Sequence, residues 1–171
     1  SLKTQALFVS ASFDYRRSIF LDITGRKEWT SLLANTANKS IFYPSVGMSF
    51  ILTEWLKVPK QILTFSKLRL SYAKVGNVPT SLAGITVPSY PISPGGGVNI
   101  NPDLPISNLK FEQTKSFEIG LNTRLWNNRI GIDLTWYYAN TYDQLFKFRA
   151  PESSGYSNFY VNAGKVNNKG V

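Results

Sequence analysis

Apolar and polar residues alternate along most of the chain, which is the pattern of β-strands with one apolar and one polar face. The pattern predicts seven β-segments and no helix of three turns. These segments cover residues 6–15, 18–30, 41–52, 62–75, 116–125, 130–138 and 158–171. Residues 53–61 could form at most a single helical turn. The sequence therefore predicts an all-β, antiparallel protein.

The stretch RLWNNRIGIDLTWYY at 124–138 joins two alternating runs through Asn127-Asn128, which predicts a β-hairpin. The polar rows of the hairpin hold small residues such as Gly120 and Thr135, whereas a soluble sheet usually places Lys and Glu on its wet face. The apolar rows here and on the earlier strands are long and continuous. Ten of their members are Val46, Met48, Phe50, Leu68, Leu70, Ile119, Leu121, Ile130, Ile132 and Leu134. The small polar rows indicate a face that is wet but enclosed.

The connections between the predicted strands alternate between short and long. Short turns at 16–17 and 127–128 contrast with long loops at 31–40, 76–111 and 143–157. Short turns at one end and long loops at the other are typical of transmembrane β-barrels, whose strands of roughly ten residues cross the bilayer at a tilt. Aromatic residues cluster near the strand ends, as in the girdles of such barrels. The pattern predicts an up-and-down transmembrane barrel in which the ten apolar residues face lipid and Glu118, Asp133 and Thr135 face a watery lumen.

The composition limits the chemistry that the chain could carry. Charged residues make up only 17% of it, which suits a protein whose outer surface need not be charged. The chain has no Cys and no His, so zinc sites, Cys nucleophiles and Ser-His-Asp triads are excluded. Its ten acidic residues sit singly, and the basic residues behind the +9 charge are scattered, which argues against a glycosidase and against nucleic-acid binding. We therefore expect no catalytic residue, no metal and no cofactor, and a protein that is not an enzyme.

Five stretches, in this order along the chain, resemble the SusC/RagA-type TonB-dependent outer-membrane receptors. They are Arg26-Lys27-Glu28 (with Glu in place of the family's Asp), FYPSVGMSFILTEW at 42–55, KLRLSYAKVGN at 67–77, FEQTKSFEIGLNTRLWNNRIGIDLTWYYANTYDQL at 111–145, and GYSNFYVNAGKVNNKGV at 155–171. They are similar to the C-terminal half of the family's barrel. Residues 1–171 are thus expected to be part of one barrel domain.

The resemblance implies a longer parent chain with a plug domain, a TonB-contact segment and a barrel of about 22 strands, of which this chain supplies about seven. The start, SLKTQALFVSASFDYRR, lacks the order of a signal peptide, so either none exists or the mature chain begins elsewhere, and the C-terminal strand shows no terminus signal. Because seven strands leave two bare edges, we expect the isolated segment not to fold in water.

The resemblance also implies the location and partners of the parent. The location is the outer membrane of a Gram-negative bacterium, where the protein would contact outer-membrane lipid and lipopolysaccharide. The partners would be a SusD-like surface lipoprotein and, through the missing N-terminal region, the TonB complex. The imported cargo would be an oligosaccharide or a peptide.

Candidate ligand contacts lie on the polar face and in the long loops. They are Arg26, Glu28, Tyr90, Tyr156, Phe159 and Tyr160. For Arg26 and Glu28, a mutual ion pair within the barrel wall is favoured over ligand contact, and Tyr90 could equally anchor its own loop. Two alternatives stay open for the whole chain. One is a soluble β-sandwich that binds carbohydrate, and the other is a small closed barrel of eight strands, for which one strand is lacking.

Overall fold

The computed structural model describes residues 3–31, 40–56, 58–77, 92, 94–96, 103–104 and 110–171. The strands are Thr4–Tyr15 (β1), Ile19–Thr30 (β2), Ser40–Ile51 (β3), Leu63–Asn77 (β4), Glu112–Leu125 (β5), Ile130–Tyr142 (β6), Leu145–Arg149 (β7), Asn158–Asn162 (β8) and Lys165–Gly170 (β9). A helical turn, α1, covers Leu52–Trp55, and a 3₁₀ turn covers Glu152–Ser154. No helix in this part of the chain has both the length and the apolar character needed to cross a bilayer.

Seven of the strands form one antiparallel sheet in the order β1-β2-β3-β4-β5-β6-β9. Each strand from β1 to β5 pairs with the next one along the chain, so the predicted up-and-down topology is confirmed. Strand β4 extends into the predicted loop 76–111, to Asn77, and β5 begins at Glu112, directly after that loop and ahead of the predicted start at 116. The alternation predicted the sheet, and the hydrogen-bonded ladders lengthen its strands toward the long-loop end.

The predicted seventh segment, 158–171, is wrong as a single strand. It breaks at Gly164, which has a φ of 92°, into β8 and β9. Only β9 joins the large sheet, while β8 pairs with β7, which lies inside the predicted loop 143–157. A period of two marks a segment as extended but does not identify the strand with which it pairs, so the sequence pattern could not separate the two ladders.

The two short turns rely on left-handed backbone. Arg16 and Arg17 both have a φ of 52°, and the Asp14 carboxylate accepts a hydrogen bond from the Arg17 N–H at 2.8 Å. The second turn is longer than the predicted pair of residues, because Trp126, Asn127 and Asn128 all have positive φ and the Arg129 N–H bonds to the Trp126 carbonyl at 3.1 Å. Both turns lie at the same end of the sheet.

The register of the sheet places all ten predicted lipid-facing residues on one face, called here the apolar face. Met48 lies opposite Leu70, which lies opposite Ile119, and the same row ends at Trp136. A parallel row runs from Phe50 through Leu68 and Leu121 to Leu134. Residues opposite each other in an antiparallel ladder project to the same side, so these rows form continuous apolar stripes.

The apolar face is not covered by another layer of the described chain. Leu134 is 55% exposed, Ile132 42% and Ile119 37%, and Ile41 is the only buried hydrophobic residue among those described. A β-sandwich would bury this face against a second sheet. The only other sheet in the described part of the chain is the two-stranded β7–β8 pair. The single-layered sheet therefore contradicts the β-sandwich alternative.

Candidate functional site

The opposite face of the large sheet, called here the polar face, carries a shallow hollow of about 310 Å³. Its lining comes from five neighbouring strands, β2 to β6, and is formed by Asp22, Gly47, Met48, Ser49, Arg69, Leu70, Ser71, Glu118, Gly120 and Thr135. All of the charged residues in this set come from the polar rows of the alternation. The hollow lies in the middle of the sheet, away from both sets of loops.

Glycines make the hollow possible because they leave the floor of the sheet without side chains. A Cβ atom added at Gly120 would lie 3.1 Å from the Arg69 Nε and 3.2 Å from the Thr135 Oγ1. A Cβ added at Gly47 would meet only the Asp22 Cβ, at 4.0 Å. The bare backbone at Gly120 thus leaves the space that the Arg69 side chain occupies.

Charged and polar side chains beside the hollow are held by contacts between strands. The Arg69 Nη2 lies 2.8 Å from the Asp133 Oδ1, and the Asn122 Nδ2 donates to the Asp133 Oδ2 at 2.8 Å. On the other side, the Ser12 hydroxyl donates to the Asp22 Oδ1 at 2.6 Å. These contacts fix the carboxylates and the guanidinium while leaving them partly exposed, which suits hydrogen bonding to a polar chain lying on this face.

Arg26 and Glu28 lie on the polar face toward the long-loop end. The Arg26 Nη2 lies 2.7 Å from the Glu28 Oε2, so the two residues form an ion pair with each other. Arg26 lies opposite Phe8 on one neighbouring strand and Tyr43 on the other. The Arg26 side chain is 51% exposed and the Glu28 side chain 21%. The structure thus contains the ion pair between Arg26 and Glu28, and contact of these residues with a ligand stays a prediction.

The β7–β8 hairpin carries two of the other predicted contacts, on opposite faces. Phe159 stacks on Phe148 with ring centroids 5.6 Å apart, next to Phe146. Phe146 is 43% exposed and Phe148 47%, so this side of the hairpin is an open aromatic surface. Tyr160 pairs with Lys147 on the other side. Phe159 and Tyr160 therefore cannot contact the same ligand surface through their side chains.

The Tyr160 side of the hairpin is fixed to a short described piece of the loop 76–111. The Lys147 Nζ lies 3.6 Å from the Asp103 Oδ1 and 5.5 Å from the centroid of the Tyr160 ring. The Asn158 Nδ2 donates to the same Asp103 oxygen at 2.9 Å. A hydrogen bond with the Tyr160 side chain and, less strongly, the charge of Asp103 raise the pKa of Lys147, although desolvation opposes them. Lys147 is therefore a cation at neutral pH.

The remaining predicted contacts are not brought together. Tyr156 follows the 3₁₀ turn and lines a separate hollow of about 490 Å³ with Arg149, Ala150, Glu152, Gly155 and Ser157. Tyr90 lies outside the described residues. The residues of the central hollow were not among the predicted ligand contacts. The alternation put Glu118 and Thr135 on the polar face, but only the register shows that Asp22 and Arg69 lie beside them.

Comparison with known proteins identifies the class. The model of the family described as "TonB dependent receptor-like, beta-barrel" matches residues 1–171. The chain is 30% identical over 174 residues to TonB-dependent receptor P26 of Formosa agariphila, and 30% identical over 173 residues to TonB-dependent receptor P3 of the same organism. Each alignment covers 96% of this chain and 17% of the relative. The chain belongs to the TonB-dependent receptor β-barrel family.

Solved structures agree on the fold. A chain of the RagAB peptide importer in the open-open state superposes with a TM-score of 0.82 at 21% identity, covering 98% of this chain and 19% of that one. The siderophore receptor PirA from Pseudomonas aeruginosa superposes with a TM-score of 0.64 at 15% identity, over 98% of this chain and 30% of the receptor. The predicted membership of the TonB-dependent receptors is confirmed by the family match, and the solved structures show the same fold. The chain spans about a fifth of the RagAB chain.

Proposed function

We propose that this chain forms part of the barrel wall of a TonB-dependent importer in the outer membrane of a Gram-negative bacterium. The apolar face meets lipid, and the polar face lines the lumen. The segment performs no chemistry on the cargo. It supplies the wall past which an oligosaccharide or a peptide is taken up.

The observation that carries this proposal is the exposure of the continuous apolar stripes. One apolar row runs across strands β3 to β6 from Met48 to Trp136, and the row beside it runs from Phe50 to Leu134. Neither row has a packing partner in the described chain. Exposed apolar surface of this extent is unfavourable in water, and it is stable when hydrocarbon replaces the missing layer. The paired backbone of an antiparallel sheet satisfies its own hydrogen bonds, which a bilayer core requires.

The polar face supports the lumen assignment. The hollow over Gly47 and Gly120 offers the half-exposed groups of Asp22, Arg69, Glu118 and Thr135. Such groups form hydrogen bonds with water or with a polar cargo, and they would be costly against lipid. Because successive side chains of each strand point to opposite faces, the wall presents apolar residues to lipid and polar residues to the lumen.

Two partners complete the proposal. A SusD-like surface lipoprotein would cover the long-loop end, where the β7–β8 hairpin presents Phe146 and Phe148. The TonB complex would supply energy through a region outside this chain. The RagAB match supports the lipoprotein partner, because the matched chains come from an importer with the same kind of barrel.

The face assignment is tested with single cysteines, since the chain contains none. In the full-length receptor, with any other cysteines replaced, a fluorophore would be attached to Cys at Ile119 or Leu121 and, as the polar-face control, at Ser116 or Glu118. We expect brominated lipids in the vesicle to quench the first two probes strongly and the second two weakly. Equal quenching at all four positions would overturn the proposed lipid contact.

The transport function is tested in the native organism. Deletion of the gene should abolish growth or uptake on the cargo but leave uptake of unrelated nutrients unchanged, and labelled oligosaccharides and peptides would be compared as cargoes. Deletion of the genes for TonB should give the same loss. Unchanged uptake of every tested oligosaccharide and peptide in the gene-deleted strain would contradict the importer assignment.

A further inference from the structure

The hydrogen bonds at the two ends of the β7–β8 hairpin fix the direction of its backbone groups. The Ala163 N–H donates to the Gln144 carbonyl at 2.9 Å, and the Ala150 N–H donates to the Ser157 carbonyl at 2.9 Å. In an antiparallel pair, hydrogen-bonded positions alternate with positions whose N–H and C=O groups point away from the partner. Three residues of β7 therefore direct these groups away from β8. They are Leu145, Lys147 and Arg149.

The corresponding outer edge of β8 is already engaged by described parts of the loop 76–111. The Asn158 carbonyl points away from β7 and accepts a hydrogen bond from the Leu104 N–H at 2.9 Å, and Asp103 forms a parallel bridge with Asn158. At the other end of β8, the Asn162 side chain accepts from the Lys110 N–H at 2.9 Å and donates to the Lys110 carbonyl at 2.7 Å. These contacts hold the hairpin at both ends of β8.

The outer edge of β7, called here the open edge, has no such partner. The sheet that contains β7 has two strands, and no hydrogen bond joins the outward backbone groups of the open edge to another described residue. An unpaired strand edge is a template for a further extended chain, which adds through main-chain hydrogen bonds. Because the contacts at Asn158 and Asn162 hold the hairpin before anything binds, strand addition would cost little ordering of the receptor.

We propose that the open edge binds a peptide in extended conformation as an additional β-strand. This inference rests on the proposed importer function and names a peptide as the class of cargo. A peptide carries a backbone donor and acceptor on each residue and repeats at the same rise as β7. An oligosaccharide has no such row of alternating donors and acceptors, so the open edge favours the peptide.

The side chains of β7 indicate which peptide would fit. Phe146 and Phe148 lie on one face of the hairpin and are exposed, whereas Lys147 and Arg149 lie on the other face. Arg149 is exposed and forms no ion pair with a described residue, while Lys147 lies 3.6 Å from the Asp103 carboxylate. Successive side chains of an added strand point to opposite faces. The matching peptide therefore alternates apolar residues beside the phenylalanines with acidic residues beside Arg149.

The first test compares peptides that differ only in which backbone amides are blocked. The probe is a short, end-capped synthetic peptide of alternating Val and Glu, made also with N-methyl groups on every Val or on every Glu. Only one of these sets of amides faces β7 in an added strand. Calorimetry with the full-length receptor should show that one methylated peptide binds about tenfold more weakly than the parent while the other binds nearly as well. Equal losses for both, or no loss for either, would overturn strand addition.

The second test removes an outward donor from the receptor. Lys147→Pro deletes the N–H of the open edge at a position where an edge strand tolerates proline. Lys147→Ala is the matched control, because it loses the same ammonium group but keeps the N–H. The proline variant should bind the unmethylated peptide about tenfold more weakly than the alanine variant, and equal affinities would contradict the proposal. If no peptide binds while uptake of a labelled oligosaccharide depends on the gene, strand addition fails and the importer function stands.

Discussion

The Arg69 guanidinium on β4 reaches across β5 to the Asp133 carboxylate on β6, with 2.8 Å between the Nη2 and Oδ1 atoms. Gly120 lies opposite Arg69 on the strand in between. A three-strand contact of this kind is sterically allowed because Gly120 has no side chain. The same contact defines one side of the polar hollow.

The Arg69–Asp133 ion pair should make a small contribution to stability. Both side chains are nearly half exposed, at 44% and 49%, so solvent screens the attraction. A double-mutant cycle with Arg69→Gln and Asp133→Asn in the full-length receptor should give a coupling energy of about 0.5–1 kcal/mol, which falls with added salt. The control cycle combines Arg69→Gln with Asp14→Asn on β1, for which the coupling should be near zero.

Gly120→Leu should fill the hollow and displace Arg69. The added Cβ alone would lie 3.1 Å from two nitrogen atoms of Arg69, and the rest of the side chain would extend into the hollow. We expect reduced cargo uptake with the receptor still assembled in the membrane. Gly131→Leu is the matched control, because it lies on the same face and a Cβ there meets nothing within 4 Å. Equal uptake by the two variants would show that the hollow is not on the path of the cargo.

Ile119→Arg should destabilise the barrel in lipid by about 2–4 kcal/mol, because Ile119 lies near the middle of β5 on the apolar face. Ser116→Arg, on the polar face of the same strand beside Ala73 and Ala139, should cost much less. The free energy of unfolding in lipid vesicles measures both. Similar losses for the two variants would reverse the assignment of the faces.

Gly76→Ala should destabilise the long-loop end of β4. A Cβ at this position would lie 2.9 Å from the Ile41 Cγ2, 3.1 Å from the Phe111 Cδ2 and 3.2 Å from the Tyr43 Cε1. Ile41 is 1% exposed and has little room to move. Overpacking of this kind typically costs about 1–3 kcal/mol, measured as a lower free energy of unfolding. Gly131→Ala, which meets no neighbour, should be almost neutral.

Asn127→Val should destabilise the β5–β6 turn by about 1–2 kcal/mol, because Asn127 has a φ of 54° and a β-branched residue resists left-handed backbone. Asn127→Gly relieves that restriction and should be neutral or slightly stabilising. Unfolding of the receptor in vesicles, followed by tryptophan fluorescence, compares the two. A valine variant as stable as the glycine variant would rule out backbone strain as the cause.

The sequence by itself determined the class of fold and the faces of the strands. The period of two in β3 to β6 separated the apolar from the polar residues, and the alternation of short and long connections indicated a barrel. Both signals are local, because side-chain direction in a strand and the length of a turn depend only on neighbouring residues. The ten predicted lipid-facing residues do lie on one face of the sheet, and their contact with lipid stays a prediction. The family resemblance was visible for the same reason, in short ordered motifs.

Only the tertiary structure decided which residues meet across the strands. The ladders bring Arg69 over Gly120 to Asp133, place Lys74 opposite Lys115, and gather Lys115 and Lys165 at Tyr142. They also pair β8 with β7 instead of β6. Alternation fixes the side to which a residue points, but a strand's partner and register follow from hydrogen bonds between segments far apart in the chain. The polar hollow depends on that register, so the sequence pattern could not show it.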